Sequence, residues 1–401
     1  MPRNIKLFYF APHPVQYHVG IYRELAKVDR LDFKVIYEDD FGLMPTYVDE
    51  FKSEIKWDID LMKGYPSEFM KNYGSRSRGG FLARVNIGIF GQIIKGKPDV
   101  ILFKGYTTAS DWLVMILGLA SKTKIIFRGE AVINMHNKPC LLKKIIKKLV
   151  ITKWLSLCDA VMFSCAGNKK YFKYYGVPDS KLFPIPCAVD NEFFRGYERL
   201  YSRKKSAIRA KIGIPEDNLV VLFSARFTTR KRPLDLLNAI SKIDNTNITV
   251  LFVGDGPERE IIEDFVKKNR ISAVFTGFVN QSEISKYYSI SDLSIVISDY
   301  DPSPKAMNEA MNFRLPIIVS DTVGTAHDLI KDDNNGFIVG VGDIDTISSK
   351  IDFFNKNRDE LTRMGQNSFD IVEKWNFIED VKGIGQAIGH VTGKKINEES
   401  F

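Results

Sequence analysis

The sequence predicts an α/β protein of two domains, each built on a parallel sheet, and three observations carry that prediction. The chain has 401 residues, more than one hydrophobic core usually organises, so two domains of roughly 150 to 200 residues each are expected. Short β-branched or aromatic runs alternate with amphipathic helical patterns, the mark of parallel strands joined by helical crossovers. The alternation occurs twice, with a polar and charged stretch between the two series.

In the first series the strands are Ile5–Phe10, Phe33–Tyr37, Val100–Lys104, Lys124–Arg128 and Ala160–Ser164. After Cys187 the stretch AVDNEFFRGYERLYSRKK reads as a linker that opens the second domain near residue 200. The second series has strands at Leu219–Ser224, Ile248–Val253, Ala273–Thr276, Leu293–Ile297 and Pro316–Ser320. The domains are placed at 1–195 and 196–375, with 376–401 as a carboxyl-terminal helix crossing back to the first. In open parallel sheets ligands bind beyond the carboxyl ends of strands, so the residues just after these runs are the ones to examine.

Composition excludes several classes. Apolar residues make up 44% and charged residues 26%, an ordinary balance for a globular chain and unlike a disordered one. The longest apolar run, Trp112–Ala120, is far short of the ~18 residues that cross a bilayer. The opening MPRNIKLFYFAPHP reads as a strand and its loop, not a secretory signal, so a cytoplasmic protein is expected, one that can work at the inner face of the cytoplasmic membrane. Cys140, Cys158, Cys165 and Cys187 show no zinc spacing and read as reduced structural thiols. The formal charge of +8 favours an anionic partner. Nucleic-acid binding would rest on charge alone and is not expected.

Directly after the strand ending at Ser224 comes ARFTTRKRPLDLL, which puts Arg226, Arg230, Lys231 and Arg232 at a strand end. A diphosphate needs fixed cations in such a place, although a solvated basic loop has the same composition. Asp301-Pro-Ser-Pro-Lys-Ala-Met-Asn-Glu309 then places one acid in a loop after a strand and a second inside the next helix. If that helix starts near Pro304, the backbone N–H groups of its first turn and its positive dipole end suit a phosphate. Glu309 has two acceptor oxygens for vicinal ribose hydroxyls, and Asp301 lies nearer the transferred group.

These pieces, with VGDGPE at Gly254 to Glu258, FTGFV at Gly277 and Phe278, and EAMNFRLPIIVSDTVGTAHDLI from Glu309 followed by NNGFIVGVGD, resemble glycosyltransferase family 4, retaining enzymes of the GT-B fold. The resemblance covers nearly all of residues 215–345, and looser matches in the first half (PVQYHVGIYRELA, KWDIDLMKGY, FRGEAV) look like relatives from bacterial surface-polysaccharide pathways. It implies two Rossmann-like domains with parallel sheets facing a central cleft. It implies metal-independent, retaining transfer of a hexose or N-acetylhexosamine from a UDP- or GDP-sugar to a hydroxyl of a cell-surface glycan, such as capsule or the O-antigen of lipopolysaccharide, lipid-linked in one version. The nucleotide sugar is then a substrate, and no cofactor is expected. The donor-side residues carried over are Arg226, Lys231, Gly254, Gly277, Phe278, Asp301, Lys305, Ala306 and Glu309. Three departures stand out: Asp301 where most members have Glu, Pro-Ser-Pro in place of Gly-Phe-Gly after it, and Arg314 at a common glycine. The first bears on the identity of the donor, and the Pro-Ser-Pro and Arg314 departures motivate the alternative of a catalytically silent nucleotide-sugar-binding subunit.

On the acceptor side the sequence offers His13, Gln16 and His18 in the loop after the first strand, each equally readable as a packed or surface residue. Arg128 and Glu130 follow another strand, with Arg128 supporting the leaving diphosphate and Glu130 taking a hydroxyl proton, or the two simply pairing. Leu141 to Leu155, LLKKIIKKLVITKWL, suits an anionic membrane surface, while the plainer reading is an outer helix packing its apolar stripe inward. Arg76 and Arg78 add basic charge in a loop. Asp58-Ile-Asp60 and Asp343-Ile-Asp345 match a D-x-D metal pattern, but neither follows a strand of a nucleotide-binding unit, and no metal is expected. VGDGPERE lacks the G-x-G-x-x-G run, so NAD is not expected.

Overall fold

Every strand of the two main sheets runs parallel to its neighbours, as helical crossovers require. The computed structural model describes residues 4–43, 46–48, 53–55, 57–75, 79–133, 140–244 and 247–394; Arg76 and Arg78 lie outside them. The chain divides into two units. One takes the residues up to Thr46, Ile55–Cys187 and the chain from Phe377 onward, and the other takes Tyr47–Glu54 and Ala188–Asn376.

The first unit contains β1 (Ile5–Ala11) and β2 (Leu31–Tyr37). A separate ribbon, β3 (Thr46–Val48) with β4 (Ser53–Ile55), precedes β5 (Ser67–Phe69), β6 (Val100–Lys104), β7 (Lys124–Gly129), β8 (Ala160–Phe163) and β9 (Leu182–Pro184). The sheet order is β5-β2-β1-β6-β7-β8-β9. Along β1 the side chains alternate between two cores, as the pleat dictates. Leu7 and Tyr9 face one in which helix α1 (Gln16–Leu25) packs, and Phe8 and Phe10 face the other. That second core is covered by α2 (Ala109–Ala120), α3 (Leu141–Ser156) and α4 (Ala166–Tyr174). Strands buried on both faces need near-continuous apolar runs, which is what made β1, β6 and β7 legible.

The second unit opens with α5 (Asn191–Tyr201) and α6 (Lys205–Lys211). The stretch read as a linker is therefore mostly helix. Asp190 caps α5 by accepting from Phe193 N (3.0 Å), and Phe194 is fully buried; the abundance of charge concealed that inward face. Then come β10 (Leu219–Ser224), α7 (Pro233–Ile240), β11 (Ile248–Val253), α8 (Arg259–Asn269), β12 (Ala273–Phe275) and α9 (Gln281–Ile290). β13 (Leu293–Val296), α10 (Lys305–Asn312), β14 (Ile317–Ser320), α11 (Ala326–Leu329), β15 (Gly336–Val339), α12 (Ile344–Lys356) and α13 (Arg358–Glu373) complete it. The order is β12-β11-β10-β13-β14-β15, so the chain reverses its direction of travel across the sheet between β10 and β13. The β3–β4 ribbon and three strands of the main sheets, β5, β9 and β15, lie outside the sequence expectation: β5 and β9 are three-residue edge pieces and β15 begins at a glycine.

The last helix, α14 (Phe377–Thr392), lies in the first unit, where Val381, Ile384, Ala387 and Ile388 share a core with α1. Close approach to β9 demands glycine at position 383, because a Cβ there would collide with the Pro184 carbonyl. Among the described residues no helix is long and apolar enough to cross a membrane. Gly383→Ala forces backbone apart and is expected to lower stability by about 1–3 kcal/mol, read as a drop in the urea midpoint; an unchanged midpoint would show that α14 is not clamped here.

Candidate functional site

In a doubly wound sheet the crevice opens where the strand order reverses, because the helices after the two central strands leave to opposite faces. In the second unit that point is the carboxyl end of β10 and β13. Arg226, half-buried, follows β10 by two residues, and Lys231 ends the short 3-10 turn Thr229–Lys231. Across from them lies the loop after β13. Asp299 N donates to the Arg230 carbonyl (2.8 Å), Arg230 Nη1 to the Tyr300 carbonyl (2.9 Å) and Arg232 Nη1 to Asp299 Oδ1 (2.7 Å). Lys231 Nζ donates to Asp301 Oδ2, closing an ion pair whose side chains are 15% and 12% exposed. Asp301 is fixed from its other side, since its carbonyl accepts from Gly324 N (2.9 Å).

α10 starts at Lys305 with Pro304 immediately before it. Proline at that position has no N–H to leave unpaired, and the amides of Lys305 and Ala306 belong to the first turn, ahead of the intrahelical ladder. Glu309, one turn further, is buried and accepts from the Tyr288 hydroxyl (2.7 Å), which lies 3.4 Å from Ser224 Oγ at the end of β10. The helix that carries Glu309 is thereby tied back to the strand that leads into Arg226. Neither Tyr288 nor Ser224 was singled out from the sequence; Tyr288 sits in α9 with no motif around it, and only its full burial marks it.

The glycine turns serve the platform beneath. Gly254 N donates to the Gly277 carbonyl (3.0 Å), and Phe227 N to the Asp255 carbonyl (2.9 Å). At φ +132° a Cβ on Gly254 would strike the Ala225 carbonyl. The loops after β10, β11 and β12 are thus knitted backbone to backbone, with Phe278 half-buried beside them. Arg314 has a local explanation too. Its φ of +55° is the left-handed geometry that glycine adopts without strain. Its guanidinium stacks on Phe369 of α13 (4.1 Å) and pairs with Glu198 of α5 (2.9 Å).

In the first unit the reversal falls between β1 and β6. Glu130 Oε1 is there the common partner of Lys104 Nζ (2.8 Å), Arg128 Nη2 (3.6 Å) and His18 Nε2 (3.8 Å). Arg128 is 1% exposed and donates to the Tyr9 hydroxyl (3.2 Å), so it lies beneath Glu130 and not on a surface. Gln16 is the first residue of α1, and His13 packs edge-on to Phe41. Of the D-x-D acids, Asp60 accepts from Met62 N (2.9 Å) and Lys63 N (3.1 Å), and Asp343 caps α12 through Thr346 N (3.0 Å); these are turn and cap bonds.

Burial, with Arg128 close by, lowers the His18 pKa from 6.5 to about 3. The folded chain keeps this imidazole neutral while the unfolded chain protonates it, so its contribution is intact above 6.5 and is lost as pH falls toward 3. Between pH 6.5 and about 5 the buried Glu38 carboxyl, pushed up to about 7, acts on both proteins alike, so the urea midpoint of the wild type is expected to fall relative to that of His18→Gln. Parallel profiles would contradict a buried neutral His18.

Residues 204–370 match the model of the family described as glycosyl transferases group 1. An uncharacterized glycosyltransferase of Methanocaldococcus jannaschii is 28% identical over 198 residues, covering 49% of this chain and 50% of that protein. An α-1,4-N-acetyl-D-galactosaminyltransferase of Campylobacter jejuni, named for an undecaprenol-diphosphate glycan, is 26% identical over 232 residues, covering 57% of this chain and 59% of that one. The chain thus spans about half the length of these curated relatives. Among solved structures, Anabaena HepE in complex with UDP and glucose superposes with a TM-score of 0.71 at 16% identity, over 96% of this chain and 100% of that one. The chain has the GT-B fold, and its second unit carries a segment of the glycosyl transferases group 1 type.

Proposed function

We propose that the chain is a retaining, metal-independent glycosyltransferase that moves a hexose or N-acetylhexosamine from a UDP- or GDP-sugar to a hydroxyl of a cell-surface glycan. The observation that carries this reading is the Lys231–Asp301 ion pair at the strand reversal of the second unit, with Arg226 and the start of α10 beside it. Arg226 and Lys231 neutralise the donor diphosphate, and the first amides of α10 at Lys305 and Ala306 add a helix end to the same charge. Breaking the anomeric bond puts negative charge on the departing diphosphate, which these groups stabilise electrostatically. Asp301 lies at the sugar end and Glu309 takes the ribose hydroxyls. Glu130, held by Lys104, is the acceptor-side carboxylate, and His13, Gln16 and His18 belong to that side. The UDP and glucose bound by HepE and the lipid-linked glycan in the name of the Campylobacter relative support donor and acceptor class. Arg314, occupied with Glu198 and Phe369, gives no support to a silent subunit.

Lys231→Ala removes a cation and leaves Asp301 to repel the diphosphate, so affinity for UDP or GDP by titration calorimetry is expected to fall about tenfold to hundredfold. Asp301→Asn keeps the cation and removes the competing carboxylate. It is expected to bind the nucleotide at least as well as the wild type while losing acceptor-dependent release of nucleoside diphosphate. Unchanged nucleotide affinity in Lys231→Ala would sink the assignment of the diphosphate to this crevice.

A further inference from the structure

The first unit exposes large apolar side chains that its cores do not use. Among the described residues, all of the chain's exposed large hydrophobics lie in this unit except Leu200 and Ile261. α3 shows why. At 3.6 residues per turn, Leu141, Leu142, Ile145, Ile146, Leu149 and Val150 occupy one half of the helix, and Lys143, Lys144, Lys147 and Lys148 the other. The residues that anchor α3 to the core, Ile151, Trp154 and Leu155, fall on the lysine half. The apolar stripe is therefore turned away from the core, with Leu141 73% and Leu149 67% exposed. The expectation of an outer helix packing its stripe inward is overturned: the last turns of α3 are held by the face opposite to the stripe.

The stripe does not stand alone. Trp112 of α2 packs against Trp154 with ring centroids 5.0 Å apart, and Trp112, Ile116 and Leu119, spaced i, i+4, i+7, form a second outward row. Apolar surface gathered in this way marks an interaction site. Charge selects the occupant. Between Asp111 and Asp159 the sequence contains a single acid, Glu130, and that one is paired with Lys104. A second copy of this face would set lysine rows against each other. An anionic lipid surface instead takes the apolar half into the headgroup boundary and lets the lysines reach the phosphates.

We propose that the α2–α3 face of the first unit is a docking surface for anionic lipid bilayers, which the protein lies on without crossing. This inference is independent of the donor site. The test is co-sedimentation of the full chain with vesicles of phosphatidylcholine alone or containing phosphatidylglycerol. The wild type is expected to bind the anionic vesicles at least about tenfold better, with salt reducing the difference. Ile145→Gln/Leu149→Gln and Lys143→Gln/Lys147→Gln alter only exposed positions. Each is expected to lower that binding about tenfold while leaving the thermal midpoint and the UDP-induced thermal shift of the wild type unchanged. Equal partition on both vesicle types, or variants that bind as the wild type does, overturns the proposal. So does a wild-type dimer in sedimentation velocity that Ile145→Gln/Leu149→Gln dissociates with no vesicle binding, since the occupant is then a second copy.

Discussion

The ion pair of Lys231 with Asp301 joins two loops 70 positions apart in sequence, and the arrangement of the second unit around its strand reversal depends on it. A partly buried pair contributes little net stability once its desolvation is counted, yet losing one partner is costly because the other charge is left uncompensated. Its value here is positional. The pair holds a cation at the mouth of the crevice and holds Asp301 where the β13 loop turns into α10. The flanking bonds from Asp299, Arg230 and Arg232 fix the backbone on which that pair is mounted.

The two sheets share one device used with different side chains. Both reverse direction beside their first strand, so each presents a crevice at the carboxyl ends of two central strands. In the second unit the crevice gathers Arg226, Lys231 and a helix start, which suits a diphosphate. In the first it gathers Glu130 among Lys104, Arg128 and a neutral His18. With Arg128 buried, the side chain that presents itself there is a carboxylate steadied from below.

Much of this was legible in the sequence, for a physical reason: strands buried on both faces must be apolar throughout, so β6, β10 and β11 announce their own bounds, and the residues that follow them are site candidates by topology. Arg226 and Lys231 at one strand end and the acids Asp301 and Glu309 after another are visible by the same rule. Other features were not. β5 and β9 are too short to show a period, and α5 hides one buried phenylalanine among charges. Tyr288 reaches Glu309 only because α9 folds back beside β10. The direction of the α3 stripe was misread because periodicity reports that a helix is two-faced without saying which face meets the core. That depends on Ile151, Trp154 and Leu155, which lie at the far end of the helix and half a turn away from the stripe.

Hydrogen–deuterium exchange with and without a saturating UDP- or GDP-sugar tests most directly whether a nucleotide diphosphate is held where β10 and β13 part. Slowed exchange is expected in residues 225–232 and 299–309, with the turn before α7 and the first turn of α10 protected together. A nucleotide that binds and protects a different part of the second unit, leaving both segments unchanged, would contradict it.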